Sequence, residues 1–486
     1  MDLAIALDNN ASLPLHRQLY EELRRAILTG RLMPRQRIPS TRALAKSLGI
    51  SRATVALSYE QLKSEGYLQT AYGSGTFVCA ILPDDLLHST SVESTRNASR
   101  SPLALSTYGA SLNRKELVRV AKPDALISFR YGQPALDYFP LDVWRKLLSR
   151  HCRLSHDLLD YAADARGHEP LREAITSYLS RARAVQCGSD QVIIVNGSQQ
   201  ALDLIARLFI DRGDWVVLED PGYLGARCAF LSQGAQPYPV AVDESGLIVK
   251  DLAHCPEPIK LVYVTPSHQF PTGAVLSLPR RLELLTWAQQ AGAMIIEDDY
   301  DSEYRYVDRP IPALQGLEQS DSAIYVGTFS KVLFPSLRIG YLVVPPSLVE
   351  VFTHAKWLAD RQCPLLEQHV LADFISEGHL ERHIRRMRIL YDQRRRALVE
   401  ALTLHLGQQV TILGENAGIH LMVRLHTALS DEEVVHRAAL FGVGLVPAQP
   451  YYLGVGRKGE FIFGYAELKE SQIQEGICRL AQVLTD

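Results

Sequence analysis

The stretch AIYVGTFSKVLFPSLRIGYLVV, residues 323–344, sets Lys331 directly after an apolar run and a Thr/Ser-containing turn, with Arg338 seven residues later and a second apolar run beyond it. A lysine at a strand end beside a buried cation has its amine pKa lowered and can attack an aldehyde. Working outward, short apolar runs recur at QVIIV (191–195), WVVLED (215–220), KLVYVTP (260–266) and AMIIEDD (293–299), separated by amphipathic stretches such as QQALDLIARLF (199–209) and RRLELLTWAQQ (280–290). That alternation predicts an α/β domain with a largely parallel sheet, whose ligand sites lie beyond the carboxyl ends of the strands. From about Pro364 the chain turns helical and Arg-rich, then closes with AGIHLMVRL (417–425) and EFIFGYAEL (460–468), which predicts a small C-terminal α+β subdomain.

At 486 residues, 47% hydrophobic and 22% charged, the chain has the composition of a globular protein of two or three domains. No apolar run reaches the 18 or more residues of a membrane span, and the start MDLAIALDNN lacks the features of a secretory signal. Seven cysteines without a C-x-x-C pair give neither a disulfide framework nor a zinc site. The expected location is cytoplasmic. The net charge of −3 divides into +4 over residues 1–79 and −7 over the remainder, so a small basic head precedes an acidic body. Basic character on a small segment suits contact with phosphates.

That head reads as three helices and a hairpin. Leu15, Leu19, Leu23, Ala26 and Ile27 share one face of a first helix that Gly30 stops; Thr41–Leu48 forms a second, Gly49 breaks it, and Ser51 caps a third running to about Glu65. YLQT and TFV around AYGSG then form a wing. Two helices across a tight glycine turn make a helix-turn-helix, whose second helix enters the major groove of DNA with short hydrogen-bonding and Arg side chains at its start. Ser51-Arg52-Ala53-Thr54 meets that need. Residues 14–78, from PLHRQLYEELRRAIL to AYGSGTFV, resemble the winged helix-turn-helix of the GntR family nearly from end to end. The resemblance implies DNA binding as a dimer, with Arg42, Ser51, Arg52, Thr54 and Gly73 at DNA-contacting positions. Ala56 stands where some relatives carry a base-reading Arg, so no base preference carries over. Residues 80–125, rich in Ser, Thr and charge, read as a linker, leaving 126–486 as the body.

In the body, a strand ends at Asn196-Gly197 and a helix starts at Ser198-Gln199, an arrangement that offers free N–H groups to an anion. Asp298, Asp299 and Tyr300 follow an apolar strand, where a carboxylate can pair with a protonated pyridine nitrogen and a phenol with its oxygen substituent. Tyr223, in EDPGYLGAR (219–227), can stack on such a ring. No His or further carboxylate recurs there at ligand spacing, so no metal is expected. Together these pieces resemble the fold-type I, class I/II aminotransferases that use pyridoxal 5′-phosphate. The resemblance implies a Lys331 Schiff base, Asp298, by motif register, on the pyridine nitrogen, Tyr300 on the ring hydroxyl, and Ser198, Gln199, Thr328 and Arg338 on the phosphate. It further implies Tyr223 stacked on the ring and Tyr161, in YAADARGHEPLREAI (161–175), reaching the phosphate of the neighbouring subunit.

Two positions depart from the aminotransferase pattern. Phe270 stands before Pro271 where those enzymes place an Asn, with His268 or Gln269 to compensate, and Phe461 stands where they carry the Arg that clamps the substrate carboxylate, with Arg424 or Arg457 as substitutes. A GntR-like head on an aminotransferase-like body resembles the MocR/GabR family of bacterial transcription regulators. What this implies is a homodimer, head-to-tail, that binds double-stranded operator DNA and senses pyridoxal phosphate, an amine or an amino acid through Lys331. The alternative is a working aminotransferase with an accessory head.

Overall fold

The computed structural model describes residues 5–8, 11–71, 75–84, 104–112, 125–153, 158, 160–161, 164–255, 258–306, 311–318 and 320–485. It divides into two compact units, 1–103 and 104–486. In the first, α1 (Leu15–Leu28), α2 (Thr41–Leu48) and α3 (Arg52–Ser64) precede the antiparallel pair β1 (Leu68–Ala71) and β2 (Gly75–Val78). Leu19, Leu23, Ala26 and Ile27 of α1 are buried as the helical period requires, and they meet Leu44, Val55, Tyr59 and Leu62 in one core. Leu15 is only half-buried, while Tyr20, beside the predicted stripe, goes in and donates its hydroxyl to Glu65. Gly49 ends α2 in the left-handed conformation, and the Ser51 hydroxyl accepts from the Thr54 N–H at 3.0 Å to start α3.

In the second unit an eight-stranded sheet runs in the order β3-β10-β9-β8-β7-β4-β5-β6. The strands are β3 (Val192–Val195), β4 (Trp215–Asp220), β5 (Gln236–Asp243), β6 (Gly246–Leu247), β7 (Ile259–Val264), β8 (Met294–Asp299), β9 (Ala323–Thr328) and β10 (Gly340–Val343). Neighbours from β9 through β5 pair in parallel, and only β10 and β6 run against them. Near-continuous apolar runs such as Ile193, Ile194, Val216, Val217, Ile295 and Ile296 are wholly buried because the sheet is covered on both faces. The helix α4 (Ser198–Phe209) follows β3.

A four-stranded antiparallel sheet, in the order β11-β12-β14-β13, forms the C-terminal part: β11 (Val410–Leu413), β12 (His420–Leu425), β13 (Val446–Pro447) and β14 (Glu460–Gly464). The helices His379–Leu406 and Glu470–Thr485 pack with it around Met387, Leu398, Phe461 and Phe463. Within the segment read as a linker, Thr107–Ser111 is a short helix, and the Ser111 hydroxyl donates to the Ser232 carbonyl at 3.1 Å. Gly73 lies outside the described residues.

All four tryptophans, Trp144, Trp215, Trp287 and Trp357, belong to the second unit. Leu23→Ala is expected to cost the first unit about 2–5 kcal/mol through the cavity it leaves. Urea unfolding will show the loss as an earlier transition in helical circular dichroism with an unchanged tryptophan-fluorescence transition.

Candidate functional site

The carboxyl ends of β3, β4, β7, β8 and β9 open onto a cavity of about 160 Å³. Ser198, Gln199, Tyr223, Asp298, Tyr300, Thr328, Lys331 and Arg338 all line it. The Lys331 Nζ donates to the Gly132 carbonyl at 3.0 Å. Its pKa is lowered, foremost by burial, which disfavours the ammonium, and also by Arg338; Asp301 and Asp298 oppose the shift without reversing it. Gly132, at φ +80°, leaves room for the amine: a Cβ there would sit 2.7 Å from Nζ.

Two adjacent acids on β8 have opposite fates. Asp298 accepts from the Tyr263 hydroxyl at 2.7 Å through Oδ2, while Oδ1 is buried without a hydrogen-bond partner among the described residues. Burial, helped by the nearby Asp299 and Asp301, pushes its pKa up to about 7 against the pull of Tyr263 and Lys331. Asp299 is equally buried, but the Arg183 guanidinium at 2.8 Å and the hydroxyls of Tyr325 and Ser302 overcome the burial and hold its pKa below the usual value. Only Asp298 reaches the cavity.

Arg338 donates to the Asn196 carbonyl at 2.6 Å, which sets its guanidinium beside Gly197 at the start of α4. A Cβ at residue 197 would lie 2.7 Å from that guanidinium, and its φ of +84° already favours glycine. Behind this corner Asp360 accepts from Asn196 at 2.6 Å and Gln200 at 2.7 Å and pairs with the buried Lys356. Helix-start N–H groups, Ser198, Gln199, Thr328 and Arg338 thus surround one corner fit for a dianion.

Tyr300 donates to the His268 carbonyl at 2.9 Å and meets the His268 Nδ1 at 3.1 Å, and that ring also bonds Asp301 at 3.0 Å. His268 therefore supports Tyr300, whereas Gln269 braces the loops at Pro221 and Phe270. Phe270 lines the cavity beside Tyr131, His420 and Ile419. The topology also gathers His268, Asp301 and His420, with one ligand atom of each within 4.8 Å of the others. Local sequence spacing gave no sign of that group because its members come from three separate segments. Tyr161 is 71% exposed, with the Arg361 guanidinium 4.9 Å from its ring centre, and does not line the cavity.

Residues 125–480 match the class I and II aminotransferase family, and residues 15–78 match the bacterial regulatory proteins of the gntR family. The probable rhizopine catabolism regulatory protein MocR of Rhizobium meliloti is 42% identical over 97% of this chain and 94% of its own. The pyridoxine biosynthesis regulator PdxR of Corynebacterium glutamicum is 30% identical over 100% of this chain and 99% of its own. This chain is a MocR-type transcriptional regulator of the GntR family. The α-aminoadipate aminotransferase LysN of Thermus thermophilus, solved with N-(5′-phosphopyridoxyl)-L-leucine, superposes with a TM-score of 0.71 at 29% identity, over 78% of this chain and 97% of LysN. The regulator's body therefore has the aminotransferase fold, which implies pyridoxal phosphate as its cofactor, and its head is a DNA-binding domain. No helix among the described residues is long and apolar enough to cross a membrane.

The two departures noted in the sequence take a different form in the regulator's structure. Phe461 does not face the cavity: it pairs with Val423 and packs in the C-terminal core. Its neighbour Ile462 pairs with Met422, on the same strand face as His420, and packs with Phe270 and Tyr451. Adjacent strand positions point to opposite faces, so Phe461 turns to the C-terminal core and Ile462 toward the Phe270 side. Arg424 is held by Glu460 at 2.7 Å and Arg457 is exposed, and neither lines the cavity. In the head, Arg42 and Arg52 are exposed, and the Arg52 Nε reaches the Thr41 hydroxyl at 3.4 Å. Thr54 is half-buried, and the Ser51 hydroxyl is engaged by Thr54 as the helix cap.

Attack on an aldehyde requires the neutral amine. Condensation of the cofactor-free regulator with pyridoxal phosphate, followed by stopped-flow absorbance, will therefore speed up with rising pH and level off below the ordinary lysine pKa of 10.5; a rate that still climbs through that value contradicts the lowered pKa.

Proposed function

We propose that this regulator acts as a homodimer that binds operator DNA through residues 1–79 and senses pyridoxal phosphate, alone or with an amine or amino-acid effector, through residues 126–486, with 80–125 as the tether. The observation that carries this reading is the meeting of Lys331, the unpartnered Asp298 oxygen and the Arg338 corner in one cavity of a chain that also bears a GntR-type reader. The names of its relatives support the regulatory role: MocR is described as a catabolism regulator and PdxR as a regulator of pyridoxine biosynthesis.

Each residue has a physical task in this reading. Pyridoxal phosphate, when bound, supplies an aldehyde that condenses with primary amines and a ring that withdraws electrons. Lys331 offers an amine that burial keeps ready to react, and Asp298 offers its free oxygen to a protonated ring nitrogen, which would relieve an otherwise unpaired buried carboxylate. Tyr300, held by His268, donates or accepts at the ring hydroxyl, and Tyr223 covers the ring. Ser198, Gln199, Thr328, Arg338 and the start of α4 hold the phosphate. Tyr161, exposed on its own subunit, suits a contact with the phosphate of a head-to-tail partner. In the head, Arg42, Arg52, Thr54 and Gly73 contact DNA, while Ser51 fixes the start of the recognition helix.

A ligand shifts DNA binding only through differential affinity for two states. An effector amine that takes the place of Lys331 frees that side chain, and this local change is the proposed bias between DNA-binding states.

Two variants test this reading together. Lys331→Ala is expected to remain a folded dimer but to lose the covalent cofactor, read as the absence of a reduced cofactor–lysine peptide after borohydride treatment and mass spectrometry, and its DNA binding should not respond to effector. Arg52→Ala is expected to keep the labelled peptide and to weaken operator binding by about 1–3 kcal/mol in gel-shift titration. Unchanged effector response in the first, or unchanged operator affinity in the second, contradicts the assignment.

A further inference from the structure

Among the described residues, the cavity wall that an effector would meet carries no Lys or Arg besides Lys331 and Arg338. Tyr131, Phe270 and His420 form an aromatic cluster, with ring centres 5.0 Å apart for Tyr131 and Phe270 and 5.3 Å for Phe270 and His420. Lys331 touches this wall through the Gly132 carbonyl, next in the chain to Tyr131, so an amine that replaced it would carry its tail there. Beneath the cluster, β12 and β14 turn Met422 and Ile462 toward Phe270 and Tyr451.

The polar groups on this side are neutral. The hydroxyls of Tyr131 and Tyr451 bond one another at 2.7 Å. His420 is held well below the ordinary imidazole pKa by burial first and by His268 second, and it bonds the Pro271 carbonyl at 3.2 Å. Among the described residues, Lys331 and Arg338 are the only Lys or Arg lining the cavity, and Arg338 is committed to the corner at Asn196. The nearby arginines face their own acids: Arg130 is held by Glu467 at 2.7 Å and Arg424 by Glu460 at 2.7 Å. A carboxylate brought to this wall would lose its hydration and gain no cation, whereas an uncharged tail would lose little.

We propose that the effector is a primary amine whose tail carries no negative charge, and that Ile462, buried behind Phe270 in the layer that backs this wall, helps set that choice by keeping the layer apolar. The inference rests on the reading that Lys331 carries pyridoxal phosphate. The exchange is balanced: the effector nitrogen bonds to the carbon that the Lys331 nitrogen leaves, one proton passes from the incoming to the outgoing nitrogen, and nothing is oxidised, reduced or hydrolysed. An aromatic tail suits the wall because Tyr131 and Phe270 offer it edges and faces.

The test uses the cofactor-loaded full chain and pairs of probes that differ only by a carboxylate: tyramine against L-tyrosine and phenethylamine against L-phenylalanine. Binding is read from the cofactor absorbance and corrected for the fraction of free amine at the working pH. Each amine is expected to bind at least about tenfold more tightly than its amino acid, and Ile462→Arg is expected to reduce that ratio by about tenfold or more, as a guanidinium would pair with the carboxylate. Equal or tighter binding of the amino acids to the unmodified chain overturns the inference whether or not the variant folds. A cofactor band that neither member of a pair perturbs also overturns it while leaving the cofactor reading intact; failure to form the band at all overturns that reading itself.

Discussion

At the end of β8 Asp298 has one carboxylate oxygen buried without a partner among the described residues, in the same cavity as the enclosed amine of Lys331, and the electrostatics of the site follow from that pairing. A buried charge without a partner is unfavourable, so the site answers with a pKa near 7 on the acid and a lowered one on the amine. The neighbouring Asp299 also has one buried oxygen without a partner among the described residues, but Arg183 and the hydroxyls of Tyr325 and Ser302 on its other oxygen lower its pKa, and it does not line the cavity. The contrast divides two identical side chains into a structural anchor and a group that awaits a ligand. In the proposed reading a protonated pyridine nitrogen would pair with Asp298 and an aldehyde would take up the Lys331 amine, so one cofactor would relieve both.

Much of this was readable in the chain because the responsible signals are local. Lys331 and Arg338 lie on one strand–turn–strand stretch, Ser198 and Gln199 open a helix, and the acids close an apolar strand, so each required only a strand-end position and a side-chain type. The head was readable for the same reason: the period of Leu19, Leu23, Ala26 and Ile27 and the break at Gly49 both appear in the structure. Other features depend on long-range topology. Tyr263 supporting Asp298 and Arg183 neutralising Asp299 join residues 35 and 116 positions apart, and no local pattern records such pairings. The orientation of the last strand is not legible for a different reason. Phe461 and Ile462 are both apolar and both buried, so composition does not distinguish them, and only the pairing of β14 with β12 shows which one faces the wall. The half-buried Leu15 at the start of α1 and the buried Tyr20 beside its stripe show that the period fixes a face but not its width.

The site also explains how an enzyme fold can serve as a receiver. The groups proposed to hold a cofactor, the Arg338 corner, Asp298 and Lys331, meet in one cavity, while its wall at Tyr131, Phe270 and His420 is aromatic among the described residues. Aminotransferases need to recognise an amino-acid carboxylate to bind substrate; a sensor needs only a change in the bonds made by Lys331 that favours one DNA-binding state over another.

The measurement that tests the central claim most directly is the affinity of the full chain for the promoter DNA of its own gene, at one fixed salt concentration, in three forms: cofactor-free, cofactor-loaded, and loaded then fixed to Lys331 by borohydride. The account predicts that loading changes the affinity at least severalfold and that the fixed form keeps the loaded value and ignores added amines. Identical affinities in all three forms would show that the cavity and the DNA reader are energetically independent, and would contradict it.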